Sequence, residues 1–301
     1  MILKRILSYY IISLLVTLAT GCTSTHTETD ALMSELHRTI QDKEIYLSQK
    51  ENRLKELRQT LYSASDDTAR FIALGNLLDE FRPYNTDSAF AYCRQREILA
   101  LKTGNQEFIT NSRLNTANVL GSIGMYKEAS EIVDSIPYSS VPDYLLPYYH
   151  YIKETIASYL VDFSVRKEDK DKYLKMFETS RDSLLSLTPP NSLSYVINMS
   201  GKYLREGDSR KSVEIIEDYL ANNEYSTHDR AILANSLSFA YQEIGDIEKQ
   251  KENLIISSIA DLRASVREYV SLRQLAVILF KEGDIDNAHR FLRIAMDDAQ
   301  K

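Results

Sequence analysis

Gly207, Gly245 and Gly283 recur at one constant interval, and each closes one amphipathic stretch and opens another. Gly124 does the same in GMYKEASEIV, a little more than two such intervals before Gly207, which leaves room for one degenerate unit between them. A glycine ends a helix by taking the left-handed conformation that a side chain disfavours. After three of these glycines stands an acid, Asp208, Asp246 or Asp284, able to accept hydrogen bonds from the first free amides of the next helix. The repeating unit is therefore helix, tight turn, helix. A small residue stands seven before each glycine (Ala117, Ser200, Ser238, Ala276) and a large one four before it (Leu120, Tyr203, Tyr241, Leu279). Five after it comes Ala129, Ser212, Gln250 or Ala288, and nine after it Val133, Ile216, Leu254 or Leu292. A hairpin this short buries its apolar face only by stacking on the next one, so the pattern dictates a solenoid. With 9 Gly and 6 Pro in 301 residues, the chain lacks the turns that a β-sandwich or barrel needs.

These marks resemble the tetratricopeptide repeat, from about Asp66 to Lys301, with helices or turns longer than the usual 34-residue unit allows. Gln250 departs from the small-residue rule. The expected fold is all-α: a TPR-like helical-hairpin solenoid over 66–301 preceded by one long amphipathic helix. About six helix pairs are predicted: 66–81 with 85–102, 105–122 with 125–136, 142–163 with 168–186, 191–205 with 208–222, 227–243 with 246–260, and 264–281 with 284–299. The preceding helix spans 31–63, where Met33, Leu36, Ile40, Leu47, Leu54, Leu57 and Leu61 fall near a heptad spacing. Lys43 and Lys50 interrupt that stripe, which favours packing on the body behind it, with self-association as the alternative.

The chain opens with Lys4 and Arg5 before the apolar run Ile6 to Leu18, then Ala19-Thr20-Gly21-Cys22. That run is shorter than the roughly 20 apolar residues of a membrane span, and the small residues before a cysteine point to a cleaved signal. The order resembles the bacterial lipobox, with Ala19 where Leu is usual, and implies a signal peptide over 1–21 and lipid on Cys22. Cleavage lowers the net charge from −7 to −9, because it removes Lys4 and Arg5 and no carboxylate. So acidic a body does not hold an anionic surface by charge, leaving the anchoring to the lipid. Residues 22–30 read as a lipidated cysteine and a polar, flexible tether. The expected location is the cell envelope, lipid-anchored and facing the periplasm. With Cys22 acylated, Cys93 is the remaining thiol and reads as a small helix residue.

The order of signal segment, LMSELHRTIQDKEIYLSQKENRLKELRQ (Leu32 to Gln59), YNTDSAFAYCRQREILALKTGN (Tyr84 to Asn105) and irregular repeats looks like a Bacteroidetes family of exported TPR proteins. Longer members of that family continue into a membrane-spanning helix, a coiled coil and a cytoplasmic DNA-binding module, and are named transcriptional regulators. The resemblance makes this chain, on one reading, the sensor part of such a regulator in truncated form. A further alternative is a glycan-binding lipoprotein of the SusD-like kind, although such proteins are longer and display Trp, of which this chain has none.

No motif for catalysis stands out. The histidines at 26, 37, 150, 228 and 289 lie far apart, and no HExxH, P-loop, GxSxG or GxGxxG occurs. The reading is a non-enzymatic protein without metal or cofactor, and no basic stripe marks a nucleic-acid partner. The expected partner is a protein or peptide held by side chains on the first helices, which line the groove of such stacks. Asn115, Asn118, Asn198, Lys202, Asn235, Gln242 and Arg273 are the candidates there. In YLLPYYHYIKETIASYL, Tyr148, Tyr151 and Tyr159 share one face as packing residues, while Tyr149 points elsewhere and joins the groove candidates.

Overall fold

The computed structural model describes residues 28–267 and 269–299, so the signal segment and Cys22 lie outside the described residues. The described residues form helices joined by short turns, with no strand among them. Two helices come first, α1 (28–41) and α2 (Lys43–Tyr62). Six hairpins follow: α3 (Asp67–Phe81) with α4 (Thr86–Thr103), α5 (Gln106–Ser122) with α6 (Tyr126–Asp134), α7 (Leu146–Phe163) with α8 (Lys167–Leu187), α9 (Leu193–Arg205) with α10 (Ser209–Asn222), α11 (Thr227–Ile244) with α12 (Ile247–Ala264), and α13 (Val270–Glu282) with α14 (Ile285–Ala299). Each helix packs chiefly on its neighbours in sequence, as in a solenoid.

The recurring glycines build the turns as the sequence requires. Gly124, Gly207, Gly245 and Gly283 have φ of 86°, 80°, 85° and 90°. In each turn the amide after the glycine donates back to the carbonyl of the large residue four before it: Met125 to Leu120, Asp208 to Tyr203, Asp246 to Tyr241, Asp284 to Leu279. Asp208, Asp246 and Asp284 then accept from the amides of Lys211, Lys249 and Asn287. Where the two helices of a hairpin approach, the small residues meet, with Ser200 and Ser212 hydroxyls 2.8 Å apart and buried. Gln250 occupies the same place in α12 and donates its amide to Gln242 at 3.1 Å, which satisfies its polar group. Leu292 departs from the pattern: it is exposed, and Phe291 fills the core together with Leu36 of α1. Nor do all glycines end helices. Gly75 lies within α3, where a Cβ would meet the guanidinium of Arg96 at 3.0 Å. That guanidinium lies 4.0 Å from the Phe71 ring centroid, and Phe71 stacks on Phe108.

The expected single helix over 31–63 differs in two ways. Residues 28–30 are already helical, with Thr29 buried and bonded to Glu252, so they are not tether. At Asp42 the helix is interrupted, and the two halves pack on opposite ends of the solenoid. Leu36 sits in a core with Leu254, Leu262, Leu272 and Phe291, against which Met33 and Ile40 also pack. Leu54 and Leu57 sit instead with Leu77, Leu78 and Phe81, joined by Leu47 and Leu61. The buried part of the stripe is thus covered by the chain's own body, while Ile45 and Tyr62 of α2 stay exposed. Burying one such leucine contributes about 1.5–3 kcal/mol.

The solenoid curls until its first and last hairpins meet. The amide of Arg267, after α12, donates to the carbonyl of Pro83, after α3, at 2.9 Å. The Arg267 guanidinium covers the Tyr84 ring at 4.2 Å, and the Tyr84 hydroxyl donates to Glu51 of α2 at 2.6 Å. Burial, helped by that carboxylate, pushes the Tyr84 phenol up to about 12. Among the described residues of the loop carrying Arg267, two non-glycine residues lie in the left-handed region, Ser265 (φ 54°) and Tyr269 (φ 46°). Each such residue costs about 1–3 kcal/mol and persists where packing over-determines it. Tyr269 meets that condition, being buried in the core around Leu36 with Lys43 over its ring.

Candidate functional site

Inside the curl lies a cavity of about 740 Å³. Its walls come from the first helices of the hairpins: Asp79 and Glu80 on α3, Asn118 and Ser122 on α5, Tyr151, Thr155 and Tyr159 on α7, His228 and Ile232 on α11. Lys50 of α2 and Ala264 and Val266 at the end of α12 complete the wall. The repeat alone places first helices on the concave side; the curl and α2 enclose it.

Local sequence explains the α7 wall. Pro147 starts the helix where a missing amide is harmless, and residues 151, 152, 155, 156 and 159 then fall on one face by helical spacing. Tyr159 stacks on Tyr126, with centroids 4.6 Å apart, so its ring is braced from behind. Ile152 and Ile156 belong also to the core beneath. Tyr148 is half-buried, and its hydroxyl organises the neighbouring helix: it accepts from Asn118 at 2.9 Å and donates to Asn115 at 2.8 Å, which donates in turn to Asn111. Burial pushes the Tyr148 phenol up to about 12, while Arg82 nearby and the Asn118 bond pull it back. Opposite charges flank the cavity in pairs, Lys50 with Glu80 at 3.2 Å and Arg82 with Asp79 at 3.7 Å. The wall is therefore near-neutral, aromatic and amide-bearing. It suits contact with polar, weakly charged groups that combine apolar faces with hydrogen-bonding edges.

The structure scatters the sequence candidates. Asn118 lines the cavity. Asn115 is buried behind it, bonded to Tyr148. Tyr149 requires correction: it lies in the core with Leu145, Ile152 and Val133, and at 5% exposure it cannot meet a partner. The face assigned to packing is the one that reaches the cavity, through Tyr151 and Tyr159. Asn198 bonds back to the carbonyl of Ser194, and Lys202 pairs with Asp182 at 3.3 Å. Asn235 donates to Ser271, Gln242 accepts from Gln250, and Arg273 is exposed; none of the five lines the cavity. Most of these asparagines and glutamines thus bond within or between helices.

Sequence reasoning missed Lys50, Glu80, Thr155 and His228, which come from four different helices. The i, i+4, i+8 spacing of Tyr151, Thr155 and Tyr159 was the one readable signal. Elsewhere, His37 bonds to Arg290 and His150 contacts Tyr138, and no group of residues able to hold a metal ion occurs among the described residues. Cys93 is buried, and burial pushes its thiol up to about 12, which leaves it an inert helix residue. No described helix is long and apolar enough to cross a membrane.

No curated protein matches the chain. Residues 40–301 match the family model described as the SusR N-terminal TPR domain. The match begins inside α1 and takes in the helix that completes the cavity wall, so α2 belongs to the family's domain together with the hairpins. Such a stack is in general an interaction scaffold and not a reaction centre. The hairpin repeat, its curl and the extent of that match place the chain in the SusR N-terminal TPR domain family, a tetratricopeptide-type protein related to the Bacteroidetes SusR regulators.

Proposed function

We propose that this chain is a lipoprotein of the cell envelope, held through Cys22 and facing the periplasm, whose solenoid binds a protein or peptide segment in the central cavity. The observation that carries the binding half is the convergence of four first helices and α2 on one cavity, with braced tyrosines and an oriented amide on its wall. Rigid aromatic rings give contact area at low entropic cost, and Asn118 supplies a hydrogen-bonding edge. The envelope half rests on the sequence from Met1 to Cys22.

The family favours a particular use of that binding: the sensing part of a regulatory system, in which capture of a ligand or partner is the input. A free-standing scaffold is the other use.

One experiment with two readouts tests the reading. Cells expressing the chain are fed labelled palmitate, crosslinked, and the chain is recovered with whatever it holds. Label appears on the native chain and is absent from Cys22→Ser. The captured set shrinks when Tyr151→Ala and Tyr159→Ala are combined, and is unchanged by Val165→Ala, a fully exposed residue away from the cavity wall. An unlabelled native chain removes the anchor, and a captured set indifferent to the tyrosines removes the cavity.

A further inference from the structure

We propose that α1, α2 and the loop between α12 and α13 form a latch that holds the two ends of the solenoid together, and that this latch opens to admit a macromolecular partner to the cavity. The inference rests on the reading that the cavity is the binding site, and adds to it a regulation of access.

Three observations point this way. First, the seam is polar and locally built, unlike the apolar faces between successive hairpins. It consists of the Arg267–Pro83 backbone bond at 2.9 Å, the Arg267 guanidinium over the Tyr84 ring at 4.2 Å and the Lys43 ammonium of α2 over the Tyr269 ring at 5.7 Å. Contacts of this kind exchange for water with little net change, whereas apolar cores do not. Second, the seam and the cavity share residues. Pro83 on one side and Val266, next to Arg267, on the other line the cavity, so parting the seam parts its wall. Third, the parts that would move are built for two arrangements. The strap is anchored by Leu36 at one end and by Leu54 and Leu57 at the other, with the helix interrupted between them at Asp42. Opening needs a turn at Asp42 and loss of the seam, and leaves both apolar anchors in place. A cavity of about 740 Å³ is the size of a small-molecule pocket, and parting the seam widens it for a long peptide or a folded partner.

The test uses the full chain carrying Cys22→Ser and Thr155→Cys, which puts a thiol on the cavity wall while native Cys93 stays buried. Its reaction with a long polyethylene-glycol maleimide is compared with that of small iodoacetamide. The latch variant combines Lys43→Ala and Arg267→Ala, the two cations that reach across the seam. Labelling by the bulky reagent is expected to rise about tenfold or more in the variant while the small reagent is unaffected, the mark of a local opening. In a chain without the added cysteine, hydrogen exchange at the amide of position 267 rises in step, and exchange in α5 and α7 does not. Equal bulky labelling in the two chains overturns the proposal, and so does a rise in exchange spread over every helix, which would mean general loosening. Neither readout needs a partner. The latch can therefore fail while the interaction reading stands, and the capture experiment can fail while the latch stands.

Discussion

Replacing Leu36 with alanine isolates what the first helix contributes, because Leu36 is its one fully buried large side chain and touches only the far end of the solenoid. The substitution removes three carbons, about 0.8 kcal/mol each in lost transfer energy, or ~2.4 kcal/mol. The site cannot collapse easily, since Leu254, Leu272 and Phe291 around it are each at 0% exposure and belong to rigid helices. A residual cavity raises the total to about 3 kcal/mol. For a cooperative unit of this length the midpoint falls by about 5 °C. Urea titration followed by circular dichroism at the helical band measures the free energy directly. Ile45→Ala, at a position 56% exposed on α2, is the control and is expected to stay within about 0.5 kcal/mol of the native chain. If Leu36→Ala costs no more than Ile45→Ala, α1 is not docked on the last hairpins and the closed curl is wrong.

Two further predictions concern polar groups of α7, Tyr148 and Glu154. Tyr148→Phe removes one hydroxyl and leaves the Asn118 and Asn115 amides without it, and is expected to cost about 1–3 kcal/mol in urea titration; a native-like midpoint would show that water replaces the phenol. Glu154, half-buried on α7, has its carboxyl pushed up to about 7 by burial, with Arg205 and Arg181 pulling it back down. Because its folded value lies above the ordinary one of 4.5, the folded state holds the proton longer, so the stability it supports is full at low pH and is lost as pH rises towards 7. Glu154→Gln mimics the protonated form, and is expected to stabilise the chain at pH above about 7 and to be neutral near pH 4.5; equal effects at both would contradict the assignment.

Much of the chain was legible from its sequence because the signals are local. A left-handed glycine, a capping aspartate and a helical stripe act over a few residues, so the hairpins and most of their boundaries follow without knowledge of the fold. On either side of each turn glycine, the small residues that allow close approach are buried as the spacing demands, as Ser200 and Ser212 show. Tyr149 and Tyr151 mark the limit. Both lie on one helix two positions apart, and periodicity separates their faces without saying which face meets the core.

That choice, like the fate of the first two helices, belonged to the tertiary structure. The apolar stripe from Met33 to Leu61 states only that something covers it; the curl decides that α1 rests on the last hairpins and α2 on the first. The curl itself sums small rotations between successive hairpins, none of which any single turn encodes. Pro83 and Arg267 stand in the first and the last third of the chain and meet because of that sum, and with them Lys50, Glu80 and His228 come to face Tyr151 across one cavity. The repeating unit and its recurrence could be read from the residues in order, since both depend on neighbours along the chain. Closure, and with it the site, depends on neighbours in space.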